Sequence, residues 1–250
     1  MRVISDTGLV AGRQLRQTLS SWPSVFIGLL QPFLFLVLFG PLLATVLGEG
    51  ETESWLLFVP GILVMLALFS AGYSGFAVFP DLHSGFQERM RVTPVHRISL
   101  LLGRITQDVV IQLVQAAIIL IAASIFWLRA PLLGVVVCLV FVVLLTIACS
   151  ALSYALALKL RAEYVFAPVI STAVIPIMLL SGILMPMSLA PAWLNVVSYL
   201  NPFRHIVDAI RAAFTGEYGS SEFLVGSAVA VGLAVACLYA GTRSFTREQA

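Results

Sequence analysis

The sequence predicts an all-α integral membrane protein with six transmembrane helices, and three observations support this fold class. Of its 250 residues, 60% are hydrophobic and 10% are charged, and the mean hydropathy is +1.03, whereas soluble domains carry about 25% charged residues. Apolar runs long enough to cross a bilayer, which takes roughly 20 residues, recur along the chain. Lys and Arg gather in alternate segments between these runs. We expect one domain over residues 1–250.

The composition also argues against several function classes. The net charge of +2 is too small to indicate a nucleic-acid partner. All three cysteines lie inside apolar runs, where cysteine behaves as a small hydrophobic residue. The sequence has no Cys-x-x-Cys pair and no His/Cys cluster, so we expect neither a metal site nor a disulfide framework. We also expect no cleaved signal peptide, because no short apolar run with a cleavage site opens the chain.

In the first polar segment, residues 5–22, apolar and polar residues alternate with helical periodicity. Ala11, Leu15, Leu19 and Trp22 share one helical face, as expected of a helix lying in the membrane interface. A plain charged anchor is the alternative. The first span is predicted over about residues 23–47, and Gln31 precedes Pro32 within it.

An acidic loop without Lys or Arg (Glu49, Glu51, Glu53) is predicted to lie outside, before a second span over about residues 55–79. Phe69, Tyr73 and Phe76 share a face of this span at i, i+4 and i+7. Such a stripe usually reflects helix packing, and a substrate-facing role is the alternative.

Charge then gathers in residues 80–104, which contain four arginines and two acidic residues. Charge in hydrocarbon costs several kcal/mol, so this segment must lie in water, and its arginines favour the cytoplasmic side. Ser84 is a suitable N-cap and Pro94 ends a helix. We therefore expect a short amphipathic cytosolic helix, with an ordinary cytosolic loop as the alternative.

The third span, about residues 100–128, has a polar face that includes Asp108. Asp108 follows Arg104 by four residues, so we expect the two to pair near the inner interface, with proton relay as the alternative. The fourth span is predicted over about residues 132–158, the fifth from about residue 164, and the sixth over about residues 223–241.

Residues 186–216 are too rich in Pro, Asn and charge for a simple span. Asn201-Pro202 is a good helix start, and Gly216 can end that helix. Arg204, Asp208 and Arg211 share one face of it, so we expect an external amphipathic element, re-entrant before residue 200. Eleven basic residues fall on the predicted inner side and three on the outer side, which together make the 14 in the sequence. This bias places both termini in the cytosol.

Two motifs resemble one transporter family. The first is Gly85-Phe86-x-Glu88-Arg89-x-x-x-Thr93-Pro94, followed by Gly103-Arg104. The second runs from Ser181-Gly182 through Pro191-x-Trp193-Leu194 and Asn201-Pro202 to Asp208-x-x-Arg211. Both are similar to ABC type-2 transporter permeases, most of all to the daunorubicin-resistance branch. The resemblance extends over nearly the whole chain.

The resemblance implies a multi-pass permease in the cell membrane that works with two separate ATPase subunits and a second permease, identical or related. ATP and Mg would be bound by the ATPases. The chain has no GxxxxGK[ST] segment of its own, and we expect it to be no enzyme and to bind no cofactor. The residues that the resemblance assigns to ATPase coupling are Gly85, Phe86, Gln87, Glu88, Arg89 and Arg91.

The first, second and fifth spans are similar to those that form the family's conduit. The residues predicted to line it are Gln31, Phe35, Phe39, Phe69, Tyr73, Ser171 and Met178. This aromatic and apolar lining suits a hydrophobic drug, antibiotic or lipid. The residues given a structural polar role are Arg104, Asp108, Asn201, Arg204, Asp208 and Arg211. An exporter of polysaccharide or glycolipid, an ion-coupled secondary transporter, and a membrane-embedded enzyme or assembly factor remain alternatives.

Overall fold

The structure is a computed structural model and describes residues 7–8, 10–16, 22–47, 51–83, 97–125, 128–184 and 187–248. Within these ranges the regular structure is helical, which confirms the all-helical part of the predicted fold class. The main helices are α1 (Trp22–Leu47), α2 (Glu51–Gly72), α3 (Phe79–His83), α4 (Arg97–Ile125), α5 (Leu132–Leu160), α6 (Glu163–Leu180), α7 (Ala192–Ser198), α8 (Pro202–Thr215) and α9 (Ser221–Glu248).

In these described ranges, five segments are long and apolar enough to cross a membrane. They are Ser54–Leu82, Ile98–Ile125, Leu132–Leu160, Glu163–Leu180 and Ser221–Ser244, and they match the predicted second to sixth spans. At the first predicted span, α1 has 26 residues and is about 39 Å long at the usual rise per residue. The structure describes an apolar stretch at Gly28–Leu42 within this helix, and the sixth crossing stays a prediction.

The second span is not one continuous α-helix. α2 ends at Gly72, a 3-10 helix follows at Ser74–Val78, and α3 begins at Phe79. The hydroxyl of Ser153 on α5 donates to the carbonyl oxygen of Gly72 (2.5 Å) and accepts from the amide of Gly75 (2.8 Å). Backbone groups released inside a membrane need such partners. A methyl group at Gly75 would lie 2.7 Å from the Phe166 ring, so this close approach requires glycine.

The core of the molecule lies along α2. In the apolar 18-residue stretch of Ser54–Leu82, 78% of the residues are buried, whereas in that of Glu163–Leu180 only 17% are buried. α2 packs against α1, α4, α5, α6 and α8, and α5 packs most extensively against α9. α1 rests mainly on α2 and α4, whereas α6 rests mainly on α5 and α2. α6 therefore presents most of its surface away from the bundle.

α8 begins and ends where the sequence predicts. The Asn201 side chain accepts a hydrogen bond from the Phe203 amide (3.1 Å), Pro202 takes the first helical position, and Gly216 adopts φ +85° after the last turn. The apolar face of α8 is buried against α9, α5 and α2. The side of the membrane on which α8 lies stays a prediction.

Candidate coupling and pathway sites

The residues assigned to ATPase coupling, namely Gly85, Phe86, Gln87, Glu88, Arg89 and Arg91, lie outside the described residues, as does the predicted helix around them. The structure does describe both ends of this segment. α3 leads into it and ends at His83, and α4 leads out of it and begins at Arg97.

An ion pair joins these two ends. The Arg104 guanidinium on α4 donates to the Asp81 carboxylate on α3, and the two side chains are 8% and 29% exposed. Arg104 therefore makes its ion pair with Asp81 and not, as predicted, with Asp108, although its charge still acts on the Asp108 carboxylate. Asp81, 23 positions away along the chain, takes this place.

Asp108 instead bonds to α5. The hydroxyl of Tyr154 donates to the Asp108 carboxylate at 2.9 Å, and the Arg104 guanidinium carbon lies 5.7 Å from the centre of the Tyr154 ring. Tyr154 is 1% exposed, so this contact lies inside the bundle. One polar cluster connects α3, α4 and α5, and it is called here the inner cluster after the side of the membrane predicted for it. It consists of Asp81, Arg104, Asp108 and Tyr154.

The N-terminal helical residues lie against α4 directly beside the inner cluster. A methyl group at Gly103 would lie 2.6 Å from the Val10 side chain and 3.3 Å from the carbonyl oxygen of Thr7. Gly103 therefore allows residues 10–16, which are helical, to approach α4 closely. Three segments thus meet at residues 103 and 104: the N-terminal helical segment, α3 and α4.

The predicted pathway residues are distributed over α1, α2 and α6. The ring of Phe69 on α2 stacks with that of Tyr73, which directly follows α2, at 6.4 Å between centroids. Phe35 and Met178 are half-buried against the core. Gln31 is exposed, and the side chain of Phe39 lies outside the described part.

Two observations describe how these helices meet. Because α1 and α6 both pack on α2, the three predicted pathway helices are neighbours through α2. The inner end of the aromatic stripe is packing, since Phe76 contacts Phe166 edge to face at 4.9 Å. The Ser171 hydroxyl donates to the carbonyl oxygen of Ala167 in its own helix (2.9 Å).

A second polar cluster lies at the other ends of α2 and α6, and it is called here the outer clamp after the side of the membrane predicted for it. Arg211 on α8 donates from Nε to the Leu57 carbonyl oxygen (2.9 Å) and from Nη2 to the Gly182 carbonyl oxygen (2.8 Å). Asp208 lies 3.5 Å from the same guanidinium. Burial lowers the pKa of Arg211, and the Asp208 carboxylate opposes that shift.

Asn201 adds a third bond to the outer clamp, because its side-chain amide donates to the Ile177 carbonyl oxygen of α6 (2.8 Å). Hydrogen bonds of a charged group such as Arg211 contribute about 1.5–3 kcal/mol each, and that of the neutral Asn201 amide contributes about 0.5–1.5 kcal/mol. The outer clamp therefore ties α8 to α2 and to the segment after α6 through Arg211, and to α6 itself through Asn201.

Arg204 fastens α8 to α7 rather than to the spans. Its guanidinium donates to the backbone and side-chain oxygens of Asn195 (2.8 and 2.7 Å) and to the Ser198 hydroxyl. It lies 3.8 Å from the Tyr199 ring centroid and 3.6 Å from Asp208. The sequence predicts the shared face of Arg204, Asp208 and Arg211. It does not predict which backbone carbonyls the two arginines bind, because any residue has such a carbonyl.

Over the residues that the structure describes, no three His, Cys, Asp or Glu side chains are grouped so that they could hold a metal ion.

Comparison with known proteins relates this arrangement to a transporter family. The family model described as ABC-2 type transporter matches residues 6–215. The transport permease ycf38 of Cyanophora paradoxa is 30% identical over 207 residues, which cover 81% of this chain and 70% of the relative. The ycf38 permease of Porphyra purpurea is 27% identical over 85% of this chain and 75% of the relative.

A bacterial relative has a more specific name. The daunorubicin resistance ABC transporter permease protein DrrB1 of Streptomyces coeruleorubidus is 23% identical over 206 residues, which cover 82% of this chain and 73% of that protein. The family model covers far more than half of the chain and includes the inner cluster and the outer clamp. The chain therefore belongs to the ABC-2 type transporter family of membrane permeases.

Proposed function

We propose that this chain is the membrane-spanning subunit of an ATP-driven exporter and that separate ATPase subunits supply the energy. The observation that carries the proposal is the Asp81–Arg104 ion pair. It joins both ends of the charged segment that resembles the family's coupling loop, and the inner cluster connects them to α5. A displacement of that segment would therefore be transmitted to α3, α4 and α5 through the bonded side chains of the inner cluster.

The division of labour follows from the sequence. ATP and Mg would be held by two partner ATPases, because this chain has no GxxxxGK[ST] segment. Phe86 offers the ATPase an apolar anchor, while Glu88 and Arg89 offer charge-assisted bonds. Closure of the ATPases on ATP would displace this segment, tilt α4 and α3, and open a path toward the outside.

The proposed cargo is a hydrophobic or amphipathic compound such as a drug, antibiotic or lipid. Phe35, Phe69, Tyr73 and Met178 supply apolar surface on α1, α2 and α6, and burial of apolar cargo area is worth roughly 25 cal/mol per Å². The relative named for daunorubicin resistance supports a planar aromatic cargo. A polysaccharide would need many more polar partners than these residues offer.

We place the complex in the cell membrane with both termini in the cytosol, and we assign it two permeases and two ATPases. The experiment that tests the function is purification of the tagged chain from its own cells in mild detergent. Copurification of a P-loop ATPase, with ATP hydrolysis in the purified sample, is expected. A chain that transports cargo in vesicles without any P-loop protein would contradict the proposal.

A further inference from the structure

α6 has little apolar contact to hold it in place. Only 17% of the residues in its membrane-spanning stretch are buried, and Tyr164, Ile175 and Leu179 are 83%, 49% and 57% exposed. In a bilayer, lipid tails are as apolar as leucine, so burial alone gives little preference for helix contact over lipid contact. Specific contacts must therefore add to the packing of its buried residues Phe166, Ile170 and Val174 in fixing the position of α6.

The ends of α6 are held by specific contacts. At its first turns, Phe166 packs against Phe76 and Phe79 with ring centroids 4.9 and 5.5 Å apart. At its other end, Asn201 donates to the Ile177 carbonyl oxygen and Arg211 donates to the Gly182 carbonyl oxygen. In low-dielectric surroundings such bonds are stronger than in water.

The same arginine holds α2. Arg211 Nε donates to the Leu57 carbonyl oxygen at 2.9 Å, so one planar guanidinium bridges α2 and the segment that follows α6. Gly61, one turn further along α2, faces the carbonyl oxygen of Ile183, and any side chain at that position would overlap this oxygen. The first half of α2 and the segment after α6 are therefore in direct backbone contact.

We propose that Arg211 and Asn201 are positioning residues that hold the adjoining ends of α2 and α6 together with α8 as one unit. This inference rests on the proposed function for its consequence. During transport the unit would move as a whole, so the path would open beside it and not by separation of α2 from α6. Asp208 helps to orient the guanidinium, since it lies 3.5 Å from Arg211.

The test measures the distance between spin labels at Leu57→Cys and Leu179→Cys by electron paramagnetic resonance, in a background with Cys138, Cys149 and Cys237 changed to Ala. Arg211→Lys keeps the charge but loses the planar fork that reaches both carbonyls. The distance distribution should become longer and broader in this variant. Asn201→Asp should act in the same direction, because it keeps the acceptor for the Phe203 amide but loses the donor to Ile177.

Arg204→Lys is the matched control, because it changes the same residue type on the same helix while its bonds run to α7. It should leave the α2–α6 distance unchanged. An unchanged distance in Arg211→Lys, or equal changes in Arg211→Lys and Arg204→Lys, would overturn the positioning role.

The second measurement uses the complex with its ATPase, free of clamp mutations, before and after trapping with ATP and vanadate. The α2–α6 distance should stay the same, and lengthening on trapping would overturn the single-unit motion. The first measurement needs no ATPase. A chain that binds no ATPase would therefore count against the proposed function alone, while the label distances in Arg211→Lys still decide the positioning role.

Discussion

Arg104 on α4 forms an ion pair with Asp81 on α3, and the two residues stand on opposite sides of the charged segment that the sequence assigns to the ATPase. Arg104 also faces the ring of Tyr154, which bonds to Asp108. The ion pair therefore joins α3 to α4 at the two ends of this segment, and Tyr154 connects it to α5. Its loss should affect stability and coupling together.

Asp81→Asn should lower the stability of the chain by about 1–3 kcal/mol, because it leaves the buried Arg104 guanidinium without its carboxylate. For a chain of this size, each kcal/mol lowers Tm by about 2–4 °C, which thermal unfolding in detergent can detect. Arg129→Gln is the matched control, since Arg129 is exposed and should leave Tm unchanged. Equal Tm values for Asp81→Asn and Arg129→Gln would show that the ion pair contributes nothing.

The double variant Phe86→Ala with Glu88→Ala should insert into membranes normally but capture less ATPase. Phe86 is the expected apolar anchor and Glu88 the expected partner of a basic group on the ATPase. The measurement is a pull-down of the ATPase by the tagged chain, normalised to the amount of chain in the membrane. Undiminished capture by the double variant would refute the role given to this segment.

The sequence predicts helices well here, because long apolar runs and Asn201-Pro202 are local signals. It predicts α8 to the residue at both ends. It does not predict the break after Gly72, since the hydroxyl that satisfies the free backbone groups comes from Ser153, far along the chain.

The sequence also does not predict which groups the polar side chains bind. The i, i+4 spacing predicts an ion pair between Arg104 and Asp108. This local rule fails because α3 supplies Asp81 as the partner of Arg104, and α5 supplies Tyr154 as the partner of Asp108. In the outer clamp, the sequence identifies the charged residues of α8 but not the carbonyls of Leu57 and Gly182. Such contacts depend on how helices pack, which periodicity along one helix does not encode.

Asp108→Asn should leave transport dependent on ATP and independent of a pH gradient, because Asp108 serves to anchor Tyr154. Tyr154→Phe should lower stability by about 1 kcal/mol through loss of the same hydrogen bond and is the matched variant. Flux is measured in vesicles with an imposed pH gradient and no ATP. Flux under these conditions that disappears in Asp108→Asn would favour a secondary transporter.

Membrane orientation is tested by two cysteines in the background without native cysteines. Glu51→Cys, at the start of α2, should react with an impermeant thiol reagent in intact cells. Lys159→Cys, which replaces an exposed residue near the end of α5, should react only after the cells are opened. The opposite labelling pattern would place the termini outside and reverse the layout.

The cargo class is tested by ATPase activity in the reconstituted complex. Planar aromatic drugs and lipids should stimulate hydrolysis, and Tyr73→Ala and Phe39→Ala should weaken this response because each removes apolar surface from the proposed path. Oligosaccharides should have no effect. Stimulation by oligosaccharide alone, unchanged in both variants, would rule out the hydrophobic cargo.

The central claim is ATP-driven export, and transport in inside-out membrane vesicles tests it most directly. Vesicles that contain the chain and its ATPase should accumulate a planar aromatic drug when ATP and Mg are added, and accumulation should stop with vanadate. Vesicles with the Phe86→Ala, Glu88→Ala chain should accumulate little. ATP-independent accumulation, or equal accumulation with and without this chain, would contradict the proposed export.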